Sequence, residues 1–248
     1  YSRGFERYGK KNKKLLKEAE RISGQAEVTL FFAGLDEYSE AEGIDRKDMK
    51  IPENQIEVFR DLIKAGRKVV LILHCGSSVE LDWTEGASAI LYMGLSGQAG
   101  ASACINLLTG KANPCGKLAE TWWNNYADCP TSDSELFPGG EDEVVYREGL
   151  FSGYRAKTKT PPRYEFGYGL SYTKFEYENL RITENEISFD IKNVGSLAGK
   201  EIAQLYFGKK ESRIKRPKRQ LFKFINVYLE KGEKKHVSIA YDRKDFSY

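Results

Sequence analysis

The sequence predicts an α/β protein: an incomplete parallel-sheet sandwich of strands and helices, followed by a small antiparallel β-sandwich. Three observations carry this. Continuous apolar runs occur at 28–33, 69–73 and 89–93, and the β-branched one at 69–73 is what a strand covered on both faces requires. Stretches of helical spacing fall between them, the alternation from which right-handed βαβ units and a parallel sheet are built. After Ser171 the texture changes to short alternating strands punctuated by turn residues.

Each element has a local reason. Residues 10–23 place Leu15, Leu16, Ala19 and Ile22 at helical spacing, with Lys and Glu between them. The strand at 28–33 follows. A second helix spans 53–65, with Ile56, Phe59, Leu62 and Ile63 on one face, and Gly66 ends it as a C-cap. Strands at 69–73 and 89–93, a helix at 99–108 and a strand at 118–122 complete the first pattern. From 124 to 166 the chain loosens into Pro, Gly and acidic residues, a longer loop than compact domains keep without a use for it. Strands at 187–191, 202–207 and 236–240 then alternate with turns at 193–195 and 231–233. The expected division is an α/β sandwich over 1–123, a linking loop over 124–170 and a β-sandwich over 171–248. A doubly wound sheet rarely starts with a helix, so N-terminal strands are expected to be missing. The chain then reads as one piece of a larger protein, with a partner segment covering the sheet edge.

Composition narrows the function. The 248 residues suffice for one or two domains, and 40% hydrophobic with 30% charged residues is globular usage. No apolar run approaches the roughly 18 residues of a membrane span, and no signal peptide opens the chain. A net charge of +3 is too small to argue for nucleic acid. The local basic cluster of Lys209, Lys210, Arg213, Lys215, Arg216, Lys218 and Arg219 lacks interleaved aromatics and reads as a solvated face. Cys75, Cys104, Cys115 and Cys129 show no C-x-x-C spacing, which argues against a zinc site and suits reduced thiols in a cytoplasmic protein. With only His74 and His236 present, a histidine-based metal or triad site is not expected.

The apolar run at 28–33 delivers the chain into Gly34-Leu35-Asp36-Glu37-Tyr38-Ser39-Glu40-Ala41-Glu42-Gly43-Ile44-Asp45-Arg46. That loop stands at the carboxyl end of a buried parallel strand, where open α/β sheets hold their ligands. Its crowded carboxylates raise the pKa of at least one member, as a proton donor near neutral pH requires. On spacing alone the better reading is a solvated acidic loop. His74, just past the strand at 69–73, and Trp83 are candidates for lining a substrate cleft, although packing explains each more simply. Gly94-Leu95-Ser96-Gly97-Gln98-Ala99-Gly100 lacks the Lys-Ser/Thr of a phosphate loop, so its glycines are read as a tight turn with close helix–strand approach.

Glu40-Ala41-Glu42-Gly43-Ile44-Asp45-Arg46, with Ile51-Pro52 and Gln55 after it, resembles the acid/base loop of glycoside hydrolase family 3, the β-glucosidase family: E-x-E-G-x-D-R, then L-P and a helix-opening Gln. The stretch from Gly97-Gln98 to Asn113-Pro114-Cys115-Gly116-Lys117-Leu118 is similar to a second family motif, with Ser96, Ala101, Cys115 and Ala119 standing for its Pro, Gly, Ser and Pro. Tyr146-Arg147-Glu148-Gly149 through Gly153-Tyr154-Arg155, and Phe166-Gly167-Tyr168-Gly169-Leu170-Ser171-Tyr172-Thr173, resemble a further pair, read as structural turns with packed aromatic rings. Residues 195–201, Arg216-Pro217, 220–224 and 229–233 resemble the family's fibronectin type III-like domain.

The resemblance implies retaining, exo-acting hydrolysis of β-linked glucosides or related glycosides, with no cofactor. Glu42 is then the general acid/base and Glu40 the second candidate, with Asp45 and Arg46 supporting the loop. The nucleophile is an Asp on a (β/α)8 barrel, which needs about 250 residues of its own and has no room here. The isolated chain is therefore expected to be inactive. β-Xylosidase and other exo-glycosidases share the architecture, and a non-catalytic carbohydrate-binding or interaction module is the other reading. Neither nucleic acid nor membrane figures as a partner, and self-association is compatible with either reading.

Overall fold

The computed structural model describes residues 1–133 and 135–247. Its contacts divide into two units: Tyr1–Ala101 with Glu120–Phe166, and Ser102–Ala119 with Gly167–Tyr248.

In the first unit, β1 (Thr29–Gly34), β2 (Val69–His74) and β3 (Ala89–Tyr92) form a parallel sheet in the order β1-β2-β3. Val69, Leu71, Ile72 and Leu73 of the central strand are fully buried, which is why its sequence is an unbroken apolar run. Helix α1 (Lys13–Ser23) is capped by Asn12, whose side-chain oxygen accepts the Lys14 and Leu15 N–H groups. Helix α2 (Glu53–Lys64) buries Ile56, Val58, Phe59 and Leu62. The Phe59 ring meets Phe31 of β1 edge-on at 5.4 Å between centroids and Trp83 at 5.1 Å, so strand, helix and following loop share one apolar centre. Along β1, Phe31 and Ala33 point into that centre while Leu30 and Phe32 are exposed.

Residues 118–122 differ from expectation, for they form no strand. Trp122 makes only an isolated bridge to Tyr164, and the backbone bends at residues 119 and 120, where the Glu120 carboxylate bonds Ser78 instead of extending a ladder. Among the described residues, 124–166 holds three short 3-10 turns and no longer helix or strand.

Helix α3 (Gly100–Leu108) carries the chain into the second unit. There β4 (Phe175–Ile182), β5 (Glu186–Asn193) and β8 (Lys234–Ala240) form one antiparallel sheet, and β6 (Gly199–Phe207) pairs with β7 (Gln220–Leu229) in another. Alternate residues turn inward: Phe189 and Ile191 of β5, Val237 and Ile239 of β8, Ala203 of β6, and Val227 and Leu229 of β7 make one core. Strands β4 and β7 lie where the sequence pattern marked none. The four cysteines are free thiols, and no helix among the described residues is long and apolar enough to cross a membrane.

Candidate active site

The acidic loop begins under a clamp. Gln55, in the first turn of α2, donates from Nε2 to the Gly34 carbonyl and accepts the Gly34 N–H on Oε1, both at 3.0 Å. From there residues 35–49 run beside residues 74–80. The Leu35 N–H donates to the His74 carbonyl at 3.1 Å, and the Glu80 N–H to the Met49 carbonyl at 2.7 Å. Between these, the Gly76 N–H donates to both Glu40 carboxylate oxygens, at 2.7 and 3.0 Å. Arg46 Nη1 donates to the Ser77 hydroxyl at 2.6 Å and to the Ser78 carbonyl at 3.0 Å. The loop is the longer of the two segments, so its surplus bulges out between anchors.

Glu42 occupies the bulge between the Glu40 and Arg46 anchors and is exposed. Gly43, next to it, has φ of +80°, the left-handed turn that a side chain disfavours. At the Glu40 anchor a Cβ on Gly76 would stand 2.3 Å from Glu40 Oε1, so a side chain there would push the Glu40 carboxylate off its present seat.

The loop's carboxylates are not pooled. Asp36 accepts the N–H groups of Tyr38 and Ser39 and the Ser39 hydroxyl, closing the first turn. Glu37 takes the Tyr8 hydroxyl and the Arg7 guanidinium, which hold it below the usual carboxylate range. Glu40 is spent on Gly76. Among the described residues Glu42 and Asp45 have no hydrogen-bond or ion-pair partner, and both are exposed. Arg46 takes Ser77 and Ser78, not Asp45, as partners, and its Nη2 is buried with no hydrogen bond.

Beside these anchors lies a half-buried polar cluster. The Tyr92 hydroxyl donates to the Cys75 carbonyl at 3.0 Å, and its ring meets Trp122 edge-on at 5.0 Å. Burial pushes the Cys75 thiol up to about 12, with the Glu40 carboxylate adding to it and Arg46 opposing. Burial likewise pushes Tyr92 up to about 12. Glu120 accepts the Ser78 N–H at 2.7 Å, and burial raises its carboxyl above the usual range against the pull of Ser78 and Arg46.

The remaining candidates fall on either side of the site. His74 ends β2, is half-buried, and stacks its ring on Phe32 at 6.4 Å, so its carbonyl rather than its imidazole meets the loop. Trp83 is 2% exposed, packed on Phe59, with Nε1 donating to the Glu80 carbonyl at 2.9 Å. Its indole is a core group with no face open to a ligand. Sequence reasoning passed over Gly76, Ser77, Ser78 and Glu120. For Glu120 a signal was present: a carboxylate set inside the apolar stretch from Leu118 to Trp123.

A carboxyl presented this way, unpaired on a loop tied down on both sides, can give and take a proton at a bound molecule. Comparison with known proteins bears on which molecule. The family model for the glycosyl hydrolase family 3 C-terminal domain matches residues 4–172, and that for the fibronectin type III-like domain matches residues 201–248. Thermostable β-glucosidase B of Acetivibrio thermocellus is 39% identical over 247 residues, covering 96% of this chain and 32% of its own length. An exo-α-(1→6)-L-arabinopyranosidase of Bifidobacterium breve is 34% identical, over 93% of this chain and 31% of its own length. The crystal structure of a Bifidobacterium adolescentis β-glucosidase of the same family superimposes with a TM-score of 0.93 at 33% identity, covering 99% of this chain and 37% of that one. The chain thus spans about a third of the length of the relatives it matches. By sequence and by fold, it belongs to glycoside hydrolase family 3, of which it carries the C-terminal α/β domain and the fibronectin type III-like domain.

Proposed function

We propose that this chain supplies the general acid/base of a retaining, exo-acting β-glycosidase of β-glucosidase type, with Glu42 in that role. The observation that carries it is the contrast within one loop: Glu40 and Arg46 are bonded to the 76–78 turn, while Glu42 between them is exposed and unpaired. The nucleophile is an Asp of a (β/α)8 barrel segment outside these residues.

In the first step that Asp attacks the anomeric carbon while Glu42 protonates the departing glycosidic oxygen. In the second, the Glu42 carboxylate takes a proton from water as it displaces the enzyme from the sugar. The two carboxyl groups then stand roughly 5–5.5 Å apart, the separation of retaining enzymes. Arg46 supports the loop through Ser77 and Ser78, whereas Asp45, exposed and unbonded among the described residues, adds no brace. The sugar is selected mainly by the barrel, and relatives named for a glucoside and for an arabinopyranoside fit that division of labour. This chain without its barrel segment turns over no glycoside.

The test is Glu42→Ala in the full-length protein. Turnover of an unactivated disaccharide is expected to fall by about 10²–10⁴-fold, with an activated aryl glycoside less affected and partly rescued by azide. Undiminished turnover of the disaccharide removes Glu42 from the role.

A further inference from the structure

Glu120 has no part in the scheme above, yet it is the carboxylate on which the far anchor of the loop rests. Its Oε1 accepts the Ser78 N–H at 2.7 Å, and its Oε2 accepts from the Ser78 hydroxyl at 3.4 Å. On the other side of the same Cα, the Ser78 carbonyl accepts Arg46 Nη1 at 3.0 Å. The two contacts hold the peptide units on either side of the Ser78 Cα, which only that residue's own two dihedrals separate, so holding one limits where the other can point and where Arg46 can bond.

The placement is not one that stability favours. Glu120 is half-buried, and burial works against its ionised form. Its neighbours Leu118, Thr121, Trp122 and Trp123 are the kind of residues such a position otherwise holds. What the carboxylate adds is a strong acceptor for Ser78 and a negative charge acting on Arg46.

We propose that Glu120 is a positioning residue. By holding Ser78 it fixes Arg46, and through Arg46 the reach of Glu42 between its two anchors. The inference rests on the reading of Glu42 as the acid/base. A misplacement of about 1 Å at a reacting group costs on the order of 10²-fold in rate, so an indirect contact of this kind can govern turnover.

The experiment uses the full-length protein with Glu120→Ala, assayed on an unactivated disaccharide and on an aryl glycoside with a good leaving group. Disaccharide kcat is expected to fall by about 10–100-fold, the aryl glycoside by less than about threefold, and KM to change little. Glu120→Gln keeps an acceptor for Ser78 and restores most of the loss. Glu120→Asp keeps charge and burial but shortens the reach, and it shows the same selective loss should the alanine variant fold poorly. Hydrogen exchange supplies an arm independent of chemistry: amides of residues 36–48 exchange faster in the variant, while those of β1 and β2 do not. Equal loss on both substrates, unchanged exchange at 36–48, or a uniform rise across the sheet overturns the proposal. Failure of the acid/base reading shows separately, as a Glu42→Ala variant fully active on the disaccharide. Exchange at 36–48 then alone decides whether Glu120 holds the loop.

Discussion

Glu40 and Glu42 lie two residues apart, and the chemistry asked of each differs because their surroundings do. A carboxylate that accepts one backbone N–H on both oxygens is a fastener, and its amide can still accept. Glu40→Gln is therefore expected to keep activity within about tenfold of the parent, whereas Glu42→Gln loses about 10²–10⁴-fold on an unactivated substrate. Side-by-side kcat values on one disaccharide decide the assignment, and a reversed order hands the role to Glu40. Cys75 gives a second residue-scale expectation. A thiol pushed up to about 12 by burial stays protonated at pH 8, and the thiolate is the reactive form. Cys75 should resist iodoacetamide in the native protein and react once urea unfolds it, as read by peptide mass. Rapid native labelling would contradict the burial.

At the scale of elements, the second unit depends on one buried amide. Asn193, at the end of β5, is fully buried. Its Nδ2 donates to the carbonyls of Leu197 and Leu229, and its Oδ1 accepts the Thr173 hydroxyl and the Gly195 N–H. Asn193→Ala strands these partners and is expected to cost about 2–3 kcal/mol, seen as a lower urea midpoint. On the same strand, Asp190 accepts from Asn179, His236 and Lys234, which hold its carboxyl far below the usual range, Asn179 foremost. A carboxylate so depressed stabilises the fold above its unfolded pKa of about 4 and loses that contribution as the pH falls further. Asp190→Asn should thus be less stable than the parent at pH 6–7, the gap narrowing below about pH 4. Because the folded carboxyl titrates so far below 4, part of the gap remains at pH 2, and a gap as large at pH 2 as at pH 7 would assign the effect to packing.

The elements also show what a sequence reveals. Strands β2 and β5 were legible because burial on both faces, or on alternate faces, writes itself as a hydrophobic period. Strand β4 was not: most of its residues are exposed, Glu176 and Glu178 interrupt it, and a bulge with Asn179 at φ of 56° breaks the alternation. In the site, the E-x-E-G-x-D-R wording located the loop, because Gly43 and the carboxylates are local. The 76–78 turn and Glu120 came only with the coordinates, since contacts across 36 or 42 positions leave no periodic trace. Trp83 as a cleft residue was suggested by aromatic type alone, and burial against Phe59 places it in the core.

On the scale of the whole molecule, residues 102–119 belong with the β-sandwich although residues 120–166 of the other unit follow them. Asn113 donates to the Ala198 carbonyl and accepts from Ser171 and the Tyr172 N–H. Lys117 pairs with Glu201 at 3.5 Å and donates to the Gly169 carbonyl at 2.8 Å, both charged side chains nearly buried. Among the described residues, Lys117→Met leaves Glu201 with only the Tyr177 hydroxyl, and it is expected to cost about 2–3 kcal/mol, measured by urea unfolding followed within the second unit. Unchanged stability would make the pair ornamental.

That threading has a consequence for inheritance. A module encoded in one uninterrupted stretch can be gained, lost or traded by two breaks in a gene, but here neither unit is contiguous. Recombination that clips the chain near residue 170 would take the sandwich's strands and leave behind the asparagine and lysine that brace them, so the two units are bound to travel together.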